Sequence, residues 1–390
     1  MIIPRLALRN LFGAGLRTWL NVAVLSFAFV AIIWTQGLIE GMNRQIMHDK
    51  IDAEYGGGQY WNEHYNPYDP LSLQDAHSKL PKVLQNMANK GQAAPVLILQ
   101  GTIYPDGRIT PVLLKGIDPS QSLLSLPSQF LDQNIEEIPA LIGSRMAKNS
   151  GLNIGDVFTI QWRDSYGTFD ALDARIMQIM NTPVASIDSG QIWIPLKRLQ
   201  MMAQMEQEAT LVVIDKTVME KTHIPGWTFK TTDFLLSDIK SLVQTKTIGS
   251  SIVYVILLFL AMLAIFDTQV LSIFRRRKEM GTLMALGLPR FKVIQLFTLE
   301  GAMHGVLAAI IGAIYGIPLL IYFSSKGWAM PESIDSFGFA LGKKLFPTYS
   351  AGLVIGTTIL VLLVTTIVSY LPTRKIAKLK PTDALRGKFS

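Results

Sequence analysis

The side chains that usually carry chemistry form no recognisable constellation in this 390-residue chain. Its five histidines, His48, His64, His77, His223 and His304, are scattered. None stands three or four residues from another, the spacing that puts two metal ligands on one helix face. The absence of cysteine excludes a disulfide scaffold, a thiolate zinc site, a cysteine nucleophile and an iron–sulfur centre. Glu206 with Glu208, and Asp170 with Asp173, can be nominated as paired carboxylates, but a solvated surface explains both pairs. No G-x-x-x-x-G-K-[ST] motif occurs: Gly342-Lys343 and Gly387-Lys388 lack the upstream glycine and the following hydroxyl. The expectation is a chain with no catalytic residue, no metal and no P-loop of its own.

Three other groups of residues stand out. The first is Arg275-Arg276-Arg277-Lys278-Glu279-Met280-Gly281-Thr282-Leu283-Met284-Ala285-Leu286-Gly287. Met280, Leu283, Met284 and Leu286 recur at helical spacing, and Gly287 with Pro289 stops the run, which predicts a short helix at a membrane surface. Its cations either dock a partner or simply anchor the chain. The second group is Asp267, Glu300 and His304, ionisable side chains inside apolar stretches. Asp267 lies eight residues before Arg275 and Glu300 eight after Lys292, about 12 Å inside one boundary at ~1.5 Å per residue. His304 shares a helix face with Glu300. Such groups are costly in lipid and face a bundle interior, a partner or water. They make either a polar hinge or a helix-end anchor paired with Arg17 or the Arg275–Lys278 cluster. The third group is a run of small residues: Gly301, Gly305, Ala309 and Ala313 on one stripe, Ala308, Gly312 and Gly316 on the next. Small faces of this kind let membrane helices approach closely.

The elements that must hold these residues follow from the distribution of charge. At 49% hydrophobic and 17% charged, the composition is too apolar for ordinary soluble domains, which carry ~25% charged residues. Four stretches are long enough for a bilayer core, which needs ~20 apolar residues of helix. They are Thr18–Ile39, Thr247–Phe274 with Asp267 as its one charge, the run after Glu300, and Leu345–Thr373. Pro347 and Pro372 predict that the last is helical from about Tyr349 to Leu371. The first run, 22 residues with no small-x-small site after it, reads as a retained anchor and not a signal peptide.

Residues 1–17, 275–292 and 374–390 together hold 15 basic and 2 acidic residues, whereas Met42–Lys246 holds 18 basic and 22 acidic. The net charge of +7 is therefore concentrated on three edges, which the positive-inside rule places in the cytoplasm with both termini. It does not form the patch on a folded basic domain that nucleic-acid binding needs. The sequence thus predicts a membrane protein with four transmembrane α-helices and a large α+β extracytoplasmic domain between helices 1 and 2. The expected order is a cytoplasmic amphipathic segment at 1–17, spans at 18–41, 247–274, 293–323 and 349–372, the insert at 42–246, a cytoplasmic helix at 275–292, an outer loop at 324–348 and a cytoplasmic tail at 373–390.

Within the insert, Pro95–Gln100 and Ile109–Lys115 flank Pro105-Asp106-Gly107 and predict a hairpin. Helical spacing marks Leu141–Leu152. Strands are expected at Val157–Trp162, Asp173–Met180, Gln191–Pro195 and Ala209–Asp215, with a helix at Leu196–Met205. The stretch Tyr55–Pro70 is irregular; its aromatics, Tyr55, Tyr60, Trp61, Tyr65 and Tyr68, either contact cargo or pack a lobe.

The run Arg276-Arg277-Lys278-Glu279-Met280-Gly281-Thr282-Leu283-Met284-Ala285-Leu286-Gly287 resembles the R-R-x-E-[IM]-G-x-L-x-A-[LI]-G hairpin of the FtsX-like permeases, the membrane subunits of ABC systems of the MacB and lipoprotein-releasing type. The resemblance extends to Ala7-Leu8-Arg9-Asn10-Leu11 with Leu16-Arg17-Thr18, to Phe297–Gly301, to Pro372-Thr373-Arg374 and to Lys380–Arg386. In the insert, Gly116-Ile117-Asp118-Pro119 and Gly143-x3-Ala147-x4-Leu152-x2-Gly155-Asp156 resemble the MacB-type periplasmic core domain. Asp267-Thr268 stands where many members carry Asn-Thr. The resemblance implies a non-catalytic, homo- or heterodimeric permease of the bacterial inner membrane. It also implies a separate ABC ATPase subunit that binds ATP and magnesium and docks on the helix made by Arg276, Arg277, Lys278, Glu279, Met280, Gly281, Leu283, Ala285 and Gly287. Its work would be to extract or export lipoproteins or other amphipathic cargo. The alternative is a mechanotransmitter that moves nothing and controls a periplasmic partner such as a cell-wall hydrolase, or a sensor.

Overall fold

The computed structural model describes residues 16–182, 184–218, 222–241, 277–329 and 344–377, together with scattered positions between 245 and 274. By internal packing the chain divides into two units, one of residues 1–43, 243–328 and 345–390, the other of residues 44–242 and 329–344.

The first helix, α1 (Leu16–Lys50), has its apolar part in the first unit, and a π-turn, Ile51–Tyr55, follows it. The second unit is a mixed α/β domain. In chain order it runs β1 (Gln59–Asn62), β2 (Ser78–Lys79), α2 (Lys82–Asn89), β3 (Ala93–Ile103), β4 (Thr110–Ile117), β5 (Ile138–Gly143), α3 (Ser144–Ser150), β6 (Val157–Arg163) and β7 (Phe169–Met180). It continues with α4 (Ala185–Gly190), β8 (Gln191–Pro195), α5 (Leu196–Ala203), β9 (Glu208–Ala209), β10 (Leu211–Ile214), β11 (Trp227–Lys230) and α6 (Thr232–Leu235). Nine of these strands make one sheet in the order β11-β1-β10-β3-β4-β8-β5-β7-β6.

The long strand β3 explains the topology. Its first half pairs with β10, its second half pairs with β4, and Gly101–Ile103 also pair with β6. The last strand therefore returns to β3, and six strands close a barrel from which β10, β1 and β11 extend. Leu97, Leu99, Leu114, Ile160, Trp162, Ile192 and Ile194 fill the inside of that ring. Ile98, Val96, Leu141, Trp193 and Leu211, one residue out of phase, make a second core on its outer face.

Several expectations are met closely. The β3–β4 hairpin turns at Pro105–Gly107 with Gly107 at φ +75°, and Gln191–Pro195 is β8. Three are corrected. Leu141–Leu152 is not one helix: Ile138–Gly143 is a fully buried strand and only Ser144–Ser150 is helical. A short apolar run reads alike as buried strand or helix. Tyr55–Pro70 is not wholly irregular, because Gln59–Asn62 is a strand held between β10 and β11. The third correction concerns Pro372 in the last helix.

Among the described residues three helices are long and apolar enough to cross a membrane: α1, α8 (Arg290–Lys326) and α9 (Ala351–Ala377). A short helix, α7 (Arg277–Ala285), precedes α8. Most of the expected second span, like Arg275 and Arg276, lies outside the described residues. Within the first unit, Val22, Leu25, Phe29, Val30 and Ile33 of α1 pack with Ala308 and Leu320 of α8 and with Val361 and Val368 of α9. Pro372 does not end the last helix, which runs through it to Ala377. Proline removes one backbone bond, that to the Val368 carbonyl, and a helix packed in an apolar setting carries such a loss. Here the Thr373 hydroxyl donates to the Ser369 carbonyl at 2.7 Å, and the Ser369 hydroxyl donates to that of Thr365 at 2.8 Å.

Candidate functional site

Each unit holds one group of residues with functional potential. In the first it is the α7–α8 hairpin. Met280 of α7 is wholly buried against Val293, Leu296 and Phe297 of α8, and Leu283, Met284 and Leu288 pack on the same cluster. Gly281 is buried beside Met280, and Gly287 takes φ +92°, a conformation that ends the helix at no steric cost to glycine. Three of the four residues of the expected stripe therefore face inward. The fourth, Leu286, is 80% exposed, close in sequence to the exposed Phe291. Lys278, Glu279, Thr282 and Ala285 are exposed with it, while the side chain of Arg277 and all of Arg276 lie outside the described residues. The hairpin is thus a packed two-helix corner with a mixed apolar and charged outer side.

Farther along α8, Glu300 is 6% exposed and His304 donates from Nδ1 to the Glu300 carbonyl oxygen at 2.9 Å. Asp267 is helical and exposed. Of the expected partners of these acids, Arg17 and Arg275–Arg277 have side chains outside the described residues, and Lys278 is exposed. The small residues have definite neighbours inside the chain. A Cβ at Gly305 would come within 2.7 Å of the Thr365 hydroxyl on α9. One at Gly312 would meet Phe29 of α1 at 3.3 Å, and one at Gly316 would meet Val30 at 2.7 Å. Gly301 is buried on the same helix. Two neighbouring stripes thus serve two different helices.

The second unit holds a buried ion cluster that sequence reasoning missed. Glu54, in the π-turn after α1, accepts from Lys115 of β4 at 2.6 Å and from Lys50. The Ser186 hydroxyl and Gln191 Nε2 approach the same carboxylate, each at 3.4 Å. Burial would push the Glu54 carboxyl up, but Lys115 and then Lys50 outweigh it and hold it well below the usual carboxylate range. Burial depresses Lys115, with Glu54 partly offsetting the effect. Burial, reinforced by the Glu54 charge, raises the nearby Tyr55 and Tyr65 phenols. The signal for this cluster was a lone lysine in the apolar run Val112–Ile117, together with Lys50 and Glu54 one turn apart.

The glycines and acids of the insert motifs have structural work. A Cβ at Gly143 would lie 2.3 Å from the Asp188 backbone. That approach lets the 3%-exposed Asp188 carboxylate take bonds from the Ser144 hydroxyl at 3.0 Å and the Arg145 N–H at 3.1 Å, at the start of α3. Asp118 accepts from the Ser120 N–H at 2.9 Å to make the turn after β4, and Asp156 accepts from the Asn153 N–H at 2.7 Å.

Comparison with known proteins gives this architecture a relationship. Residues 251–381, which include the α7–α8 hairpin and all of α9, match the FtsX-like permease C-terminal family. An uncharacterised ABC transporter permease of Methanocaldococcus jannaschii is 30% identical over 158 residues, covering 40% of this chain and 37% of its own length. The macrolide export ATP-binding/permease protein MacB of Campylobacter jejuni is 27% identical over 142 residues, covering 36% and 20%. The lipoprotein-releasing system transmembrane protein LolC of Neisseria meningitidis is 20% identical over 336 residues, covering 75% and 77%. The chain thus matches about two fifths of the first of these relatives and a fifth of the second. Within the FtsX-like region the match takes in α7, Glu300, His304 and the small-residue stripes of α8.

Proposed function

We propose that this chain is a permease subunit of an ABC transporter complex and that the α7–α8 hairpin receives the motion of a partner ATPase. In this reading ATP and magnesium stay on the partner. Both termini and α7 are cytoplasmic, a second span completes a set of four, and the α/β domain stands outside the inner membrane of a bacterium. The observation that carries the reading is the FtsX-like match over 251–381, which takes in a hairpin whose apolar side is buried on α8. Because Met280, Leu283 and Met284 tie α7 to α8, a push on Leu286 and its charged neighbours moves α8 as one body. The spans hold few ionisable groups, Asp267, Glu300 and His304 within them and Glu40 at the end of the first, which favours a mechanical device over a polar channel.

The cargo of this reading is a lipoprotein or another amphipathic molecule, in keeping with the names of LolC and MacB. A second permease subunit completes the complex. The test is to reconstitute the subunit with its ATPase in vesicles that carry lipoprotein, then add ATP. Release of lipoprotein supports extraction. ATP hydrolysis without release, stimulated instead by a cell-wall hydrolase, identifies a mechanotransmitter.

A further inference from the structure

The outer face of the barrel carries a cavity of about 270 Å³, wholly within the α/β domain. Its floor is set by strand register. The parallel pairing of β4 with β8 puts Leu113 beside Gln191 and Lys115 beside Trp193. Residues two apart on a strand share a face, so all four line the same wall. Tyr55 from the π-turn, Trp61 from β1, Tyr65 and Phe234 of α6 add an aromatic surround. Trp61 meets Tyr65 and Phe234 edge-on, with ring centroids at 5.0 and 6.1 Å. At the rim the Tyr68 hydroxyl donates to the Asp238 carboxylate.

Two features of this wall go beyond packing. Four donors from Lys50, Lys115, Ser186 and Gln191 use the acceptor capacity of Glu54, so two ammonium groups meet one satisfied carboxylate on the inner wall, while the second carboxylate of the lining, Asp238, sits at the rim on the Tyr68 hydroxyl. Lys115 Nζ lies 5.1 Å from the Trp193 ring centroid and has N–H capacity beyond its bond to Glu54. Beside it, two buried polar atoms have no partner in the protein: Trp193 Nε1, a donor on a side chain 1% exposed, and Gln191 Oε1, an acceptor on one 4% exposed. Buried groups of this kind are normally hydrogen-bonded, and two on alternate residues of one strand lining one cavity offer a ligand one donor and one acceptor. The larger recess near β6, about 530 Å³, makes no such demand. There Gln100 donates to the Pro70 carbonyl, Gln161 accepts from Tyr104, and Arg163 bonds Gly167 and Gln74.

We propose that the cavity binds a small amphipathic organic acid bearing an N–H or O–H beside its carboxylate. The carboxylate takes the free capacity of Lys115 and the Trp193 Nε1–H, the neighbouring donor bonds Gln191 Oε1, and an apolar or aromatic body lies among Tyr55, Trp61, Tyr65 and Phe234. The volume is at the small end for ligand sites, which suits a metabolite-sized acid and not an acyl chain or a protein segment. The site is therefore distinct from any path for large cargo and stands whether or not the permease reading holds.

Isothermal titration of the purified full-length protein in detergent tests this, with N-acetyl-L-phenylalanine as the acid, its primary amide as the neutral probe and phenethylamine as the cation. The acid should bind saturably, about tenfold more tightly than the amide, with the amine weakest. Trp193→Phe keeps an aromatic ring but removes the pyrrole ring with its N–H, and should weaken the acid about tenfold. Lys115→Met should abolish the preference for acid over amide. Its thermal melt is recorded alongside, and Trp193→Phe carries the test if that variant does not fold. No saturable binding of any probe to the wild type overturns the proposal. So does equal affinity for acid and amine, or an unchanged acid affinity in Trp193→Phe.

Discussion

Glu54 pairs with two largely buried lysines of the α/β domain. It is the one carboxylate between two lysines, and the side chains of Lys50, Glu54 and Lys115 are 14%, 14% and 6% exposed. Removing the partner of a buried charge leaves that charge uncompensated, at a cost of about 3–5 kcal/mol. Glu54→Gln should therefore lower domain stability by about 3 kcal/mol in urea unfolding, and adding Lys115→Met should restore part of the loss. The pH dependence has a definite sign. The Glu54 value in the fold lies below its unfolded value, so its contribution is complete above the ordinary carboxylate range and drains away as pH falls into strong acid. Lys115 is depressed in the fold, so the cost of its charged form is full at low pH and is relieved as pH rises towards the ordinary lysine range. An acid melt should show the wild-type domain losing stability in strongly acid buffer, and Glu54→Gln losing less of it over the same range. Sequence exposed little of this cluster, since the partners of Lys115 come from a turn 61 residues away and depend on the closed barrel.

At the scale of elements, the α7–α8 corner separates packing from docking. Met280 is fully buried on α8, so Met280→Ala should cost about 2–3 kcal/mol in the local stability of the hairpin, seen as faster amide exchange in α7. Leu286→Asp, on an 80%-exposed residue, should leave that exchange unchanged while weakening binding of the ATPase. Legibility followed the same division. The hairpin of β3 and β4 was readable because Pro105-Asp106-Gly107 specifies the turn locally. The strand Ile138–Gly143 was not, because it is buried on both faces and lacks alternation. Strand β1 was hidden because Gly56, Gly57 and Gly58 precede it, and those glycines are fixed by distant strands: a Cβ at Gly57 would lie 2.5 Å from the Asp215 carbonyl oxygen. Pro372 misled for a related reason, since α9 is held by tertiary packing, Val361 and Val368 lying in one cluster with α1 and α8, which no local signal shows.

For the whole molecule, the concentration of positive charge on three edges and mild acidity in the insert was the legible part. It follows from the arithmetic of Lys and Arg and needs no tertiary contact. The chain has no cysteine, so single cysteines report on topology without background. Asn149→Cys in the α/β domain and Thr282→Cys in α7 are both at exposed positions. In intact cells a membrane-impermeant maleimide should label Asn149→Cys, and should label Thr282→Cys only after permeabilisation. The reverse pattern would invert the proposed orientation.

The central claim is that the hairpin couples a partner ATPase to the membrane helices, and ATP hydrolysis by the purified complex tests it most directly. Wild-type chain and its ABC ATPase should copurify and hydrolyse ATP at a rate that cargo or an outer partner changes, and Leu286→Asp should remove that response while expression and the α7 exchange rate stay as in wild type. An ATPase that neither binds the chain nor changes its rate with Leu286→Asp would contradict this coupling.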